Sequence, residues 1–353
     1  MRLKLWRRLT QFTVPQLWVA KRVLARMVSA AHSHLADETG EAMIGLILMG
    51  DDSDGATGVP TLVILDTIAP DESALRLFHT FQQGDERQDD LIWWLQENWR
   101  LMRPQLVGAM KKYDVPLRYL GDWHKQPGFM IQPSGGDLNT ALNWIEDTSN
   151  GMDFLLAPIV TLGHAHLINE AGMSYLMTPQ QDDTALRVDF WYIDVDSPGF
   201  VPIMPLEIAN DQVPPLPPYP WHLLDDARFA AEMRSLNDDD LFVSVTFWDA
   251  DGVPPLEVCL LTARVGAEHL LIVVTPFDYP ASPPSVRVTP FIHMTGEDEL
   301  YDVFERAWAQ SRVLPMPSDW QTEAGLLSLI HKIEAGLAGT PSDAQDESRE
   351  GTA

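Results

Sequence analysis

Seven of the 27 prolines fall within one short stretch, as Pro202, Pro205, Pro214, Pro215, Pro217, Pro218 and Pro220. Each fixes φ and removes a backbone donor, so no helix can run through the stretch and a central strand is disfavoured. A chain of 353 residues, 45% of them hydrophobic, can bury two ordinary cores on either side of such a break. The stretch 200–220 therefore reads as a linker between a first domain, 1–199, and a second, 221–338. The tail 339–353 is polar and acidic without apolar periodicity and is expected to be disordered.

Charge narrows the function classes. The chain has 24 Lys and Arg against 51 Asp and Glu, a formal net charge of −27, and its first acidic residue is Asp37. So anionic a chain is a poor general binder of nucleic-acid phosphates. The basic opening, 1–26, could suggest a membrane-surface helix. However, Leu17, Ala20, Leu24, Met27, Ala31 and Leu35 recur at helical spacing, as in the first core helix of a globular domain. No apolar run approaches the ~20 residues of a membrane span, and 1–12 lacks the apolar block and cleavage site of a signal peptide, so a cytoplasmic location is expected. Cys259 is the single cysteine. It excludes an intramolecular disulfide, and any metal would be held by His and carboxylate.

Hydrophobic periodicity gives a coarse map. In the first domain, strands are expected at 42–49, 61–68, 117–123, 155–162 and 186–195, and helices at 90–113, kinked at Pro104, and 138–145. This mixture predicts an α/β or α+β domain. In the second, a helix at 225–236 precedes strands at 241–248, 256–262, 269–275 and 285–289, spaced like an antiparallel meander. Helices near 298–310 and 322–337 close an α+β layout.

Chemistry concentrates in Gly121-Asp122-Trp123-His124-Lys125-Gln126-Pro127-Gly128 and the following Pro133-Ser134-Gly135-Gly136-Asp137. A strand ending at His124 and a turn-rich loop leading to Asp137 could bring an imidazole and a carboxylate onto one cation. Spacing alone is weak, because isolated His and Asp residues are mostly surface or capping residues. The block resembles the JAB/MPN (JAMM) metallopeptidase signature, a His-x-His-Pro followed by Ser and Asp, with His124, Pro127, Ser134 and Asp137 in register. The family's upstream Glu-Thr-Gly-Gly-x-Leu-x-Gly block is matched by Glu38-Thr39-Gly40-Glu41-Ala42-Met43-Ile44-Gly45. Glu38 takes the place of the family's glutamate, with Glu41 as runner-up. The resemblance implies a mixed sheet with flanking helices, and zinc held by His124, Asp137 and the residue at Gln126. It also implies Glu38 as proton acceptor and Ser134 as hydrogen-bond donor to the oxyanion.

Gln126 departs from the pattern, since the family has a second histidine there and a carboxamide oxygen is a poorer zinc donor. Three readings stay open: Gln126 ligates weakly, another histidine completes the site, or the domain is an inactive relative that binds its partner. His164 and His166 could substitute if they share a strand face, although an exposed edge strand explains them more simply. His32 and His34 read as helix-end residues, and Trp123 as core packing.

The second domain contains Tyr279-Pro280-Ala281-Ser282-Pro283-Pro284-Ser285-Val286 between two expected strands. This stretch resembles the Tyr-Pro-x-x-Pro-Pro-x-Val of ubiquitin-conjugating enzymes (UBC) and the related RWD domains, as do the element order and Trp320 before the last helix. No His-Pro-Asn follows, and Cys259 lies upstream of the motif inside an expected strand, where it reads as a small buried side chain. The resemblance thus implies a docking module without conjugating activity. Together the two resemblances imply a zinc-dependent isopeptidase or peptidase acting on ubiquitin-like conjugates or precursors, with an activating or conjugating enzyme as a further partner. The alternative is a catalytically inactive scaffold of the same kind of pathway.

Overall fold

The computed structural model describes residues 13–50, 58–83, 86–126, 128, 130–162, 175–177, 186–292 and 299–338. The chain divides into two compact units, Met1–Pro217 and Pro218–Ala353. The candidate substitutes His164 and His166, the basic segment 1–12, Pro127 and the acidic tail lie outside the described residues.

Unit 1 is built on one mixed, curled sheet. β1 (Gln16–Ala20) enters it and passes directly into α1 (Lys21–Ser33). The sequence predicts a single helix from Leu17, but Leu17 and Val19 also alternate at strand spacing. Both are buried as β1 pairs in parallel with β3 (Thr61–Ile68). Pairing to a distant strand overrides the local helical pattern. β2 (Thr39–Leu48) lies antiparallel to β3, and its residues 39–46 are buried. After the hairpin β4 (Leu75–Leu77) and β5 (Thr80–Gln82), helix α2 (Glu86–Met102) ends before Pro104, where two short 3₁₀ turns take over. Proline thus terminates the helix rather than kinking it.

β6 (Arg118–Lys125) pairs antiparallel with β2. Helix α3 (Gly135–Glu146) follows. The expected strand at 155–162 is two strands, β7 (Phe154–Leu156) and β8 (Ile159–Leu162), interrupted at Ala157 and Pro158. Likewise 186–195 divides into β10 (Leu186–Asp189) and β11 (Trp191–Asp194), after the short β9 (Tyr175–Met177). The proposed linker also needs correction, because it supplies β12 (Val201–Pro202) and β13 (Pro205–Ile208). These occupy the two ends of the strand path β12-β11-β7-β6-β2-β3-β1-β13. Pro202 and Pro205 are tolerated there because an edge strand leaves one side of its backbone free of ladder bonds.

Unit 2 begins with α4 (Trp221–Leu224) and α5 (Asp226–Asp238). An antiparallel sheet follows in the order β14 (Leu241–Trp248), β15 (Glu257–Arg264), β16 (His269–Thr275), β17 (Ser285–Pro290) and β18 (Arg312–Leu314). α6 (Leu300–Gln310) and α7 (Gly325–Ala338) complete it. One face packs Leu260, Val273 and Val286 against Leu326 and Ile330, and the other packs Cys259 and Ile272 against Phe304. No described helix is long and apolar enough to cross a membrane.

Candidate functional site

The residues singled out in the first domain gather where the sheet forks. Gly121 of β6 pairs with Leu156 of β7, whereas His124 and Lys125 pair with Ile159 and Val160 of β8. Gly121 has φ +125°, and a Cβ there would stand 2.1 Å from the Leu156 carbonyl oxygen, so the fork needs glycine. Beyond it, His124 donates its backbone N–H to the Pro158 carbonyl (3.1 Å) and Gln126 to the Val160 carbonyl (3.0 Å). These bonds carry the strand geometry of β6 as far as Gln126.

Strand parity sorts the candidates by face. His124 lies opposite Gly40 on β2, and Trp123 opposite Glu41. Side chains paired across a ladder share a face, so His124 and Gly40 lie on one face and Glu41 and Trp123 on the other. Glu38, two residues before Gly40, continues the His124 face. Glu41 is buried on the opposite side, near Asp66 and Arg26 of α1, and burial holds its carboxyl above the usual range. Parity thus separates Glu38 from its runner-up.

Asp137 reaches the same neighbourhood from α3. Ser134 is the N-cap of that helix: its Oγ accepts from the Asp137 N–H (3.2 Å), while its own N–H donates to Asp137 Oδ2 (2.6 Å). This reciprocal pair is a capping box with aspartate at the third helical position. Burial raises the Glu38 carboxyl above its ordinary value, and the Asp137 charge adds to the effect against His79 and Lys125. Burial also pushes the His124 imidazole down, opposed by Asp137. Asp137 thus bears on both groups, and burial favours the neutral form of His124.

Lys125 is a positioning residue that sequence inspection passes over. It is 2% exposed, and its Nζ donates to the Leu35 carbonyl (3.1 Å), fastening the α1–β2 connection that carries Glu38. Burial lowers its ammonium pKa while Asp37 and Glu38 raise it. The available signal was a lysine directly after the histidine, at the end of β6. Glu38 is further anchored by its N–H, which donates to the Leu77 carbonyl (2.9 Å). His32 and His34 stand at the C-terminal end of α1.

Among the described residues, no three His, Cys, Asp or Glu side chains are disposed to hold one metal ion. Gln126 is 4% exposed, and its Oε1 is buried without a hydrogen-bond partner. An amide oxygen, an imidazole and a carboxylate are all donor types that zinc accepts, the amide oxygen being the weakest of them. Cys259 plays no part: it is buried in β15, and burial pushes its thiol well up.

No known family's sequence profile matches the chain. No curated protein matches it in sequence. A solution structure of a protein from Desulfitobacterium hafniense is similar over 55% of this chain and 94% of its own, at 15% identity and a TM-score of 0.32.

Proposed function

We propose that unit 1 is a JAB/MPN-like hydrolase domain that cleaves an amide bond after the C-terminus of a ubiquitin-like protein, as conjugate or precursor. In this proposal unit 2 is a UBC/RWD-like module that docks that protein or its activating or conjugating enzyme. The observation that carries the reading is the β2–β6 register, which sets His124 opposite Gly40, two residues beyond Glu38. It unites two sequence blocks 86 residues apart around one set of acid, base and ligand groups.

Zinc held by His124 and Asp137, with Gln126 as a weak third donor, would supply an activated water and a polarised carbonyl. Glu38 takes the proton of the attacking water and passes it to the departing amine. Its raised pKa suits it to both halves of that transfer. Ser134 Oγ already accepts the Asp137 N–H, so its own hydrogen remains to donate to the carbonyl oxygen as negative charge develops there. Leu75, Leu77 and Phe78 are exposed beside the Glu38 anchor and offer apolar contact to a protein substrate.

In unit 2, support comes from the helix-meander-helix order and from Tyr279. This residue is buried against Trp221, and its hydroxyl donates to Glu232 Oε1 (3.1 Å). Cys259 cannot serve as a thioester nucleophile from the middle of β15.

The test is zinc content together with turnover of a ubiquitin-like fusion. The protein should hold zinc and cleave the fusion, and Glu38→Gln should keep the metal and lose turnover. Less than about a tenth of an equivalent of zinc, with no cleavage after zinc addition, overturns the reading. Gln126, standing where the family has its second histidine, favours a second reading, an inactive scaffold. That reading requires binding of the ubiquitin-like protein without cleavage.

A further inference from the structure

A second constellation lies on the same sheet face as His124. Asp122 precedes His124 by two residues and pairs with Ala42, as His124 pairs with Gly40. The two side chains therefore emerge on one face, about 7 Å apart along β6. Asp122 lines a groove of about 880 Å³ in unit 1 that is walled by α2 and by Trp144 of α3.

Two oxygens at this groove are buried and accept no hydrogen bond, Asp122 Oδ1 and Gln83 Oε1. The side chains of Tyr119 and Gln83 hydrogen-bond to the Asp122 carboxyl, so what remains unmet is acceptor capacity. Buried acceptors left in this state are uncommon and costly, and a ligand rich in N–H donors satisfies them. The wall adds an aromatic surface: Trp144 is 42% exposed, and its ring lies 6.0 Å from that of Tyr119. Asp89 lines the groove as a second carboxylate, and the exposed Arg118 lies on its lining without bonding either orphan. The net charge of −27 favours a cation at long range.

We propose that this groove binds a guanidinium cation, with Asp122 and Gln83 accepting its N–H groups and Trp144 covering its flat face. A guanidinium matches two neighbouring acceptors with a planar fork and stacks on an aromatic ring, whereas an ammonium offers a point charge without a face. The site is independent of the hydrolase reading, because none of its groups is a zinc donor or the proposed base.

The experiment is calorimetric titration of the full chain, stripped of metal by chelation, with Nα-acetyl-arginine amide. Nα-acetyl-citrulline amide, Nα-acetyl-lysine amide and a Gly-Gly-Arg-Gly-Gly peptide serve as comparisons. The arginine amide should bind saturably and at least about tenfold more tightly than the citrulline and lysine compounds. Asp122→Asn should weaken it by at least about tenfold, Trp144→Ala should also weaken it, and Glu38→Gln should leave it unchanged. A peptide that binds about tenfold more tightly than the amide identifies the source as a protein side chain, and equal binding identifies a free guanidino compound. No saturable binding at about 10 mM, equal binding of citrulline, or full binding by a folded Asp122→Asn overturns the proposal. If Asp122→Asn does not fold, the partly exposed Trp144 supplies the deciding variant, and unchanged binding by Trp144→Ala has the same force.

Discussion

His124 and Gly40 face each other across β6 and β2 so closely that a Cβ on Gly40 would stand 3.1 Å from His124 Cβ. The same atom would meet the Trp123 carbonyl oxygen at 2.2 Å, a backbone group with no room to give. Gly40→Ala should therefore destabilise unit 1 by about 1–3 kcal/mol and displace the imidazole. Urea unfolding, with NMR titration of His124, checks both effects. An unchanged midpoint and an unchanged titration would mean that β2 and β6 are not in this register.

The elements read most accurately from sequence are short runs rich in apolar and β-branched residues bounded by turn signals. The expected bounds 61–68, 241–248 and 269–275 coincide with β3, β14 and β16. Local pattern leaves β1 ambiguous, because Leu17, Ala20 and Leu24 satisfy helical spacing while Leu17 and Val19 satisfy strand spacing. Only the distant partners β3 and β13 decide between them. The prolines at 202 and 205 signalled a break without revealing that an edge position accommodates them. In the candidate site, the two motif blocks named Glu38, His124, Ser134 and Asp137. Their separation onto faces, the role of Lys125 and the Asp122 groove depend on the β2–β6 register and the placement of α2, which no local pattern encodes.

Ser134 has a structural duty separable from the proposed chemical one. Its Oγ caps α3, so Ser134→Ala should cost about 1 kcal/mol. Ser134→Asn supplies a capping oxygen without a hydroxyl and should recover most of that stability. Thermal unfolding compares the three proteins, and cleavage of a ubiquitin-like fusion by Ser134→Asn isolates the hydroxyl. Full turnover by that variant would remove Ser134 from the mechanism.

Glu257 should give unit 2 a stability that depends on pH. Burial first, and repulsion from Asp251 and Asp249, raise its carboxyl from 4.5 to about 7, against the stabilising Ala250 N–H. Between these values the folded protein holds a proton that the unfolded chain has released. The associated stability is present at low pH and lost as pH rises through about 7. Glu257→Gln retains an acceptor for the Ala250 N–H, seen at 2.9 Å, and cannot ionise. It should flatten the pH dependence and unfold at higher urea than the parent at pH 8. A parent whose unit 2 midpoint is the same at pH 5 and pH 8 would contradict the assignment.

Cys259 pairs with Thr246 and Val274 inside the unit 2 sheet, and both burial and Glu257 push its thiol pKa up. The native thiol should react with iodoacetamide at pH 8 roughly a hundredfold more slowly than in urea. Mass spectrometry of the quenched reaction gives the ratio. A thioester formed on Cys259 with an activating enzyme would establish conjugating chemistry in place of a docking role.

In the zinc-site proposal, Gln126 is the donor that limits affinity. Its backbone is pinned to Val160, and its side chain continues the alternation that begins at His124, so a replacement side chain inherits the same direction. An imidazole there supplies a nitrogen donor far better than an amide oxygen, and it also removes the orphaned Oε1. Gln126→His should therefore tighten zinc binding by at least about tenfold, measured by competition with a chromophoric chelator. Turnover of a ubiquitin-like fusion should rise with occupancy, and Gln126→His combined with Glu38→Gln should bind zinc as tightly without cleaving. If Gln126→His folds and binds zinc no better than the parent, residue 126 does not face His124 and Asp137, and the zinc-site proposal fails at its weakest donor.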